Sequence, residues 1–233
     1  MAAYMRLDKT LCHATGLTRS QAQITIRLGQ VTVDGKEVRD PACKIGPQAQ
    51  VAWRECEVAL QGHRYYMLNK PQGVICATSD TTHRTVIDLL GVENKKGLHA
   101  AGRLDIDTTG LVLISDDGDW SHRITAPRHK CPKRYRVTLT EPLEASAVTQ
   151  FAAGITLRNE AQKTQPATLE MITPTDVRLT IGEGKYHQVK RMFAAVGNHV
   201  AALHREAIGA LQLDESLAPG EYRPLSDAER DLF

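Results

Sequence analysis

Residues 102–111 read Gly-Arg-Leu-Asp-Ile-Asp-Thr-Thr-Gly-Leu and run directly into the apolar tetrad Leu111, Val112, Leu113 and Ile114. The tetrad reads as a buried strand, so the polar segment ahead of it is a loop anchored on the core. Two carboxylates, Asp105 and Asp107, stand beside Arg103; two hydroxyls follow at Thr108 and Thr109, and Gly102 and Gly110 permit sharp backbone turns. Aspartates in glycine-flanked loops commonly hydrogen-bond their own backbone. The alternative is a reactive site built round Asp105.

At 233 residues the chain can form one large or two smaller domains, and 42% hydrophobic with 24% charged residues is ordinary globular composition. No stretch approaches the roughly 20 apolar residues of a membrane span, and residues 1–6 lack a signal-peptide pattern, so a cytoplasmic protein without membrane contact is expected. The cysteines, Cys12, Cys43, Cys56, Cys76 and Cys131, are scattered and include no Cys-x-x-Cys pair. That argues for reduced thiols rather than a disulfide framework or zinc site. His99, His122, His129 and His187 show no two-histidine helical spacing with a carboxylate between, and no metal is expected. A net charge of +2 conceals an asymmetry: residues 121–136 hold Arg123, Arg128, Lys130, Lys133, Arg134 and Arg136 with no acidic residue, whereas Glu206, Asp214, Glu215, Glu221, Asp227, Glu229 and Asp231 dominate the end. A basic run is either a solvated face or a grip for phosphates.

Taken in order, Leu7, Leu11 and Ala14 share one helical face that Gly16 is placed to end. Thr18 with Gln21 has the capping-box pattern for a second helix carrying Ala22 and Ile26, closed by Gly29. Val31 and Val33 alternate before the hairpin signal Asp34-Gly35, with Val38 returning. A short strand-like piece follows Pro47, and Gln61-Gly62-His63 reads as a linker. Beyond it come a strand at Tyr65 to Leu68, a helix round Val86, Leu89 and Leu90, and a turn at Asp116-Asp117-Gly118. Tyr135, Val137 and Leu139 alternate as a strand; then come a helix over residues 143–153 and a strand pair over 168–172 and 177–181, joined at Pro174. Within 184–196, Val189, Met192, Phe193 and Val196 lie on one helical face, which points Gln188, Lys190 and Arg191 elsewhere. Ser226 and Glu229 start one short helix. This mixture is α+β.

Gly-Arg-Leu-Asp with threonines and Gly-Leu after it resembles the signature of the RNA pseudouridine synthases, and Asn69-Lys70-Pro71-Gln72-Gly73 is similar to that family's Asn-Lys-Pro-x-Gly element. The resemblance continues through Lys133-Arg134-Tyr135, through Gln188-Val189-Lys190-Arg191, and through Leu203-His204-Arg205 with Ile208-Gly209. Upstream, Arg6-Leu7-Asp8-Lys9, Thr18-Arg19-Ser20 and Val31-x-Val33-Asp34-Gly35 resemble the S4 RNA-binding domain. The resemblance implies an S4-like α/β module over 1–60 and a synthase domain over 61–233, with a mixed, mainly antiparallel sheet, flanking helices and a central cleft. It further implies that Asp105 is the nucleophile, that Lys190 pairs with it, that Tyr135 stacks on the target base and assists proton removal, and that Leu203 lines the base pocket. Arg103, Asn69, Lys70, Arg128, Lys133 and Arg191 are the remaining expected substrate contacts. Arg6, Lys9, Arg19 and Arg27 are the expected RNA contacts of the first module.

The implied chemistry breaks the N1–C1′ bond of a uridine, rotates the base and forms a C5–C1′ bond, so no cofactor is required. An aspartate, with a reference pKa of about 3.9, is ionised at neutral pH and can act as nucleophile. Attack on ribose, attack on the base and a glycal route are all compatible with it. The target must be flipped out of stacked RNA. Within the family, residues 116–131 and 193–200 look closest to bacterial enzymes acting on 16S rRNA, which implies a partly assembled small ribosomal subunit as partner; a large-subunit 23S rRNA enzyme is the alternative, and a monomer is expected although no motif specifies the oligomeric state. Two readings from other classes compete. Asp105-Ile-Asp107-Thr108 also fits aspartyl-phosphate phosphatases of the haloacid dehalogenase type, although residues 99–104 ahead of it are poor strand sequence. The other is a non-catalytic S4-type RNA-binding protein.

Overall fold

A computed structural model describes residues 5–46, 48–58 and 62–233, so Pro47 at the start of the strand-like piece and Gln61 in the linker lie outside the described residues. The chain divides into two compact units, Met1–His63 and Arg64–Phe233.

In the first unit, β1 (Met5–Arg6) leads into α1 (Leu7–Thr15), which ends where Gly16 turns left-handed at φ +76° and its N–H bonds to the Cys12 carbonyl. The second helix, α2 (Arg19–Arg27), has the anticipated capping box: Thr18 accepts from the Gln21 N–H while the Gln21 side chain accepts from the Thr18 N–H. Next come β2 (Val31–Val33) and β3 (Lys36–Glu37), joined through Asp34 and Gly35, both at positive φ as a tight hairpin turn requires. The unit is completed by β4 (Lys44–Ile45), β5 (Val51–Trp53) and β6 (Cys56–Val58), giving one sheet in the order β3-β2-β5-β6 and a separate β1-β4 pair. Leu7, Leu11, Ala22, Ile26, Val31, Ile45 and Val51 form its core.

The second unit is built on one large sheet. Its elements are β7 (Tyr65–Lys70), β8 (His99–Ala100), β9 (Thr109–Ser115), α3 (Gly118–Thr125), β10 (Lys133–Leu139), α4 (Ser146–Ala152), β11 (Thr168–Thr173), β12 (Asp176–Ile181), α5 (Gln188–Ala195), β13 (Val200–Ile208), β14 (Leu211–Gln212), β15 (Tyr222–Pro224) and α6 (Asp227–Arg230). The strands run β11-β12-β10-β13-β9-β7-β15, with β8 beside β9 and β14 beside β13. Among the described strands only β13 and β9 pair in parallel. Both sheet faces are covered. Val112 and Ile114 join a core with Val137, Phe151, Val177, Met192 and Phe193, while Leu111 and Leu113 pack with Met67, Trp120, Ile124 and Ile208 on the other side. Burial on both faces is why the tetrad of β9 is apolar throughout rather than alternating. The mixed, mainly antiparallel sheet with flanking helices is the expected α+β fold.

Four local expectations differ from the structure. Residues 85–90 form turns rather than a helix: Thr85 and Asp88 satisfy each other's N–H groups, but Gly91 follows before a second turn can propagate. The helix of Val189 and Met192 starts at Gln188, because residues 184–187 form a loop that ends with His187 at φ +47°. The turn expected at Asp116 to Gly118 opens α3 instead, with the Asp117 carboxylate accepting from the Asp119 and Trp120 N–H groups. The segment expected to be poor strand supplies β8. Among the described residues no helix is long and apolar enough to cross a membrane.

Candidate active site

The loop ahead of β9 is fixed from below by two buried cations. Lys70, at the end of β7, is wholly buried, and its ammonium group donates to the carbonyls of Thr108 (2.7 Å), Pro71 (3.0 Å) and Ile106 (3.3 Å). Burial pushes its pKa below the ordinary lysine value. Arg205 of β13, 2% exposed, donates to the carbonyls of Leu111 (2.7 Å) and Arg103 (3.2 Å). The Gly73 N–H takes the Ile106 carbonyl at 2.8 Å, and the Thr108 N–H closes a turn on the Asp105 carbonyl at 3.1 Å. With its backbone carbonyls held in this way, the loop presents Asp105 to a cleft.

Gly110 lets the loop enter the sheet. It has φ +102° and pairs with Arg205 across the parallel β13–β9 junction, where an added Cβ would sit 2.4 Å from the Arg205 carbonyl oxygen, making glycine the residue that fits. Beside it, the Thr109 hydroxyl meets His204 Nδ1 at 2.8 Å.

The cleft has a volume of about 590 Å³. Asp105, Tyr135, Lys190, Leu203, Arg103 and Lys133 all line it, together with Arg205, Thr108, Tyr186, His187 and Gln188. Lys190 of α5 bridges the two carboxylates unequally. Its Nζ is 2.6 and 2.7 Å from the Asp107 oxygens and 3.5 Å from Asp105 Oδ2. The Lys190 hydrogen bond holds the Asp107 carboxyl below the usual carboxylate range. The cation expected to serve Asp105 therefore serves Asp107 first and leaves Asp105 less encumbered. His187 Nε2 approaches the other oxygen of Asp105 at 3.5 Å. The convergence of both carboxylates on an ammonium group fits a carboxylate nucleophile better than the shared Mg²⁺ of the phosphatase reading.

Other expected contacts lie elsewhere. Asn69 is buried with its amide on the Leu217 carbonyl at 2.8 Å, and Lys70 supports the loop from beneath, so neither lines the cleft. Arg191 turns away, donating to Glu160 (3.2 Å) and to the carbonyls of Tyr186 (3.1 Å) and Arg158 (2.7 Å). Lys133 reaches the cleft wall while donating to the carbonyls of Cys131 (2.7 Å) and Ile124 (3.3 Å), and burial lowers its pKa. The basic run is largely consumed by structure: Arg123 meets the Phe233 carbonyl, Arg134 meets Glu206, and Arg136 meets Asp176. Arg128 and Lys130 stay exposed, and Arg128 does not line the cleft. The acidic end is also structural, since Asp214 and Glu229 grip Arg223 and both have pKa values lowered to about 2, Asp214 first by its Ser216 hydrogen bonds and Glu229 first by Arg223.

In the first unit, Arg6 and Arg19 converge on the buried Asp8 with Gln23 rather than standing apart, while Lys9 is half-buried and Arg27 exposed. The role of His187 was not foreseen. Its only sequence signal is its place immediately before the Gln-Val-Lys-Arg segment. Arg205 stands in the Leu203-His204-Arg205 match, but nothing in that match points to its support of the loop.

A family model described as RNA pseudouridylate synthase matches residues 64–195, and one for the S4 domain matches residues 5–51. The chain is similar to ribosomal small subunit pseudouridine synthase A of Escherichia coli (strain K12), with 58% identity over 226 residues covering 97% of this chain and 98% of the relative. The protein of the same name from Vibrio cholerae is 54% identical over 225 residues, covering 97% of each. A crystal structure of a pseudouridylate synthase superimposes with a TM-score of 0.72 at 47% identity, covering 98% of this chain and 100% of the other. Identity sustained along nearly the full length of both chains, with a family match running from the start of β7 to the end of α5, makes this chain a member of the RNA pseudouridylate synthase family that carries an S4 domain in its first unit.

Proposed function

We propose that this chain converts one uridine of 16S rRNA, in a partly assembled small ribosomal subunit, to pseudouridine. The target is supported by the names of relatives that align over nearly the whole chain. Asp105 is the nucleophile toward the flipped-out nucleotide, and the observation that carries the assignment is its position in a cleft shared with Lys190, Tyr135 and Leu203. The N1–C1′ bond breaks, the base turns, C5 bonds to C1′, C5 loses its proton and N1 gains one. Atoms and electrons balance without a cofactor. Lys190 orients the carboxylate pair, Tyr135 and Leu203 hold the base between an aromatic face and an aliphatic side chain, and Arg103 at the rim takes a phosphate.

Residues 1–60 dock RNA and residues 61–233 carry out the chemistry. Every cleft-lining residue belongs to the second unit, which supports the assignment of the chemistry to it; the enzyme is taken to act as a cytoplasmic monomer. Mapping pseudouridines in both rRNAs of a deletion strain tests the substrate: loss of one site in 16S rRNA is expected, and loss in 23S rRNA alone refutes it. For the nucleophile, Asp105→Asn should abolish tritium release from RNA labelled at uridine C5 while leaving RNA binding intact. Turnover near wild type in that variant refutes the assignment, and an unmutated protein that binds RNA but releases no tritium favours a non-catalytic RNA-binding protein.

A further inference from the structure

At the rim of the cleft, the loop between β12 and α5 carries an aromatic pair that the uridine chemistry leaves unused. Tyr186 is 78% exposed, the most exposed large hydrophobic side chain among the described residues. Its ring stacks on His187 with centroids 3.9 Å apart and planes 19° apart, and both residues line the cleft. His187 in turn approaches Asp105 at 3.5 Å, so the stack leads outward from the reactive carboxylate to solvent.

An exposed tyrosine on a slack loop would mean little, but this loop is fastened on both sides of the ring. Lys185 Nζ bonds Glu160 at 2.7 Å, and Glu160 also takes Arg191 at 3.2 Å. Arg191 donates to the Tyr186 carbonyl at 3.1 Å. The Lys185 N–H donates to Gln188 Oε1 at 2.8 Å, and Gln188 Nε2 donates to Glu183 at 2.9 Å. The ring is thus held in water by a backbone whose ordering cost is met before any ligand arrives, which is the condition under which a contact adds most affinity.

A uridine flipped into the cleft leaves its neighbour in the strand at the rim with one face unstacked. Single-stranded RNA is commonly gripped by stacking such bases on aromatic side chains, an interaction tolerant of base identity. We propose that the Tyr186–His187 stack is a platform for the base of the nucleotide adjoining the target uridine, holding the strand in register as the uridine enters; this rests on the uridine-isomerising reading of the same cleft.

The test uses the full chain and a single-stranded RNA with one central uridine and 2-aminopurine on its 5′ or 3′ side. Stacking on the platform quenches the 2-aminopurine on one side only, in the wild type and in Tyr186→Phe. Tyr186→Ala loses that quenching and binds roughly tenfold more weakly, in the range of one base–aromatic stack. In turnover its KM rises roughly tenfold, more than its kcat falls. Equal quenching and affinity in wild type and Tyr186→Ala overturn the proposal, as does a wild type that neither binds nor quenches. Because quenching needs no turnover, Tyr186-dependent quenching by a protein that isomerises no uridine of a partly assembled small subunit refutes the uridine reading and leaves the platform standing. Turnover without Tyr186-dependent quenching does the reverse.

Discussion

Replacing Lys70 by methionine keeps most of the side chain's length and apolar stem while removing the ammonium group that gathers the carbonyls of Pro71, Ile106 and Thr108. The residue is fully buried, so water does not readily take over those acceptors. Each acceptor left unsatisfied costs about 1–3 kcal/mol, and since the Ile106 carbonyl keeps the Gly73 N–H, the ceiling is roughly 2–6 kcal/mol for the Pro71 and Thr108 carbonyls. Part is returned, because methionine does not carry the desolvation penalty that depresses the Lys70 pKa. A net loss of about 2–4 kcal/mol follows, and in a unit of this size that lowers the melting temperature by roughly 5–15 °C.

The loop that relaxes carries Asp105, and a displacement of about 1 Å at a reacting group can cost 10²-fold in rate. Lys70→Met is therefore expected to lose stability and kcat together. Trp120, 1% exposed within the second unit, reports its unfolding when Trp53 of the first unit is replaced by phenylalanine. Tritium release from uridine C5 reports the chemistry. A variant that melts within a degree of wild type, with raised KM and unchanged kcat, would refute the supporting role and return Lys70 to the substrate-binding set.

Asp107→Asn removes the nearest partner of Lys190 and should lower kcat by roughly 10- to 100-fold without abolishing it, whereas Asp105→Asn leaves nothing; equal losses in tritium release would contradict the division of labour. Asp8 is pushed up by burial, but hydrogen bonds from Arg6 and Gln23 with the charge of Arg19 prevail and hold it well below the usual range. Its folded pKa is depressed, so its stabilisation is complete above about pH 4 and fades as pH falls through the lowered value; Asp8→Asn should flatten that acid limb, read from Trp53 fluorescence. Gly110→Ala should cost more than about 3 kcal/mol, from positive φ plus overlap with the Arg205 carbonyl, and soluble protein with wild-type melting would refute the close approach.

The signals legible in the sequence are those in which a residue acts on near neighbours. The Thr18 and Ser226 capping boxes, the Asp34-Gly35 turn and the β9 tetrad form as read because each involves groups within a few residues. The helix α3 was hidden because Asp-Asp-Gly signals a turn and an N-cap with the same chemistry, and only Trp120 and Ile124 packing beneath the sheet decides between them. The basic run misleads for a related reason. Its cations are contiguous in sequence, but Glu206 and Asp176, which claim Arg134 and Arg136, arrive from strands 72 and 40 residues away. Charge spacing identifies a cation without showing whether a distant carboxylate already holds it.

The same reasoning explains why the site residues fall into two kinds. Asp105, Tyr135, Lys190 and Leu203 come from a loop, two strands and a helix, and the motifs that carry them can be recognised singly. What brings them to one cleft is the parallel junction of β13 with β9, where Gly110 lies against Arg205 and Thr109 against His204. Alternation along β13 then places Leu203 and Arg205 toward the cleft, the first as wall and the second under the loop. Parallel pairing requires a long connection between its strands, and here that connection spans residues 116–199, which contain β10, β12 and α5 and so deliver Tyr135 and Lys190 to the opening made by the junction. Gly110, Lys70 and Arg205 thus hold the geometry without occupying the reacting position, and substitutions there should impair folding and chemistry together, whereas loss of the Asp105 carboxylate should impair chemistry alone.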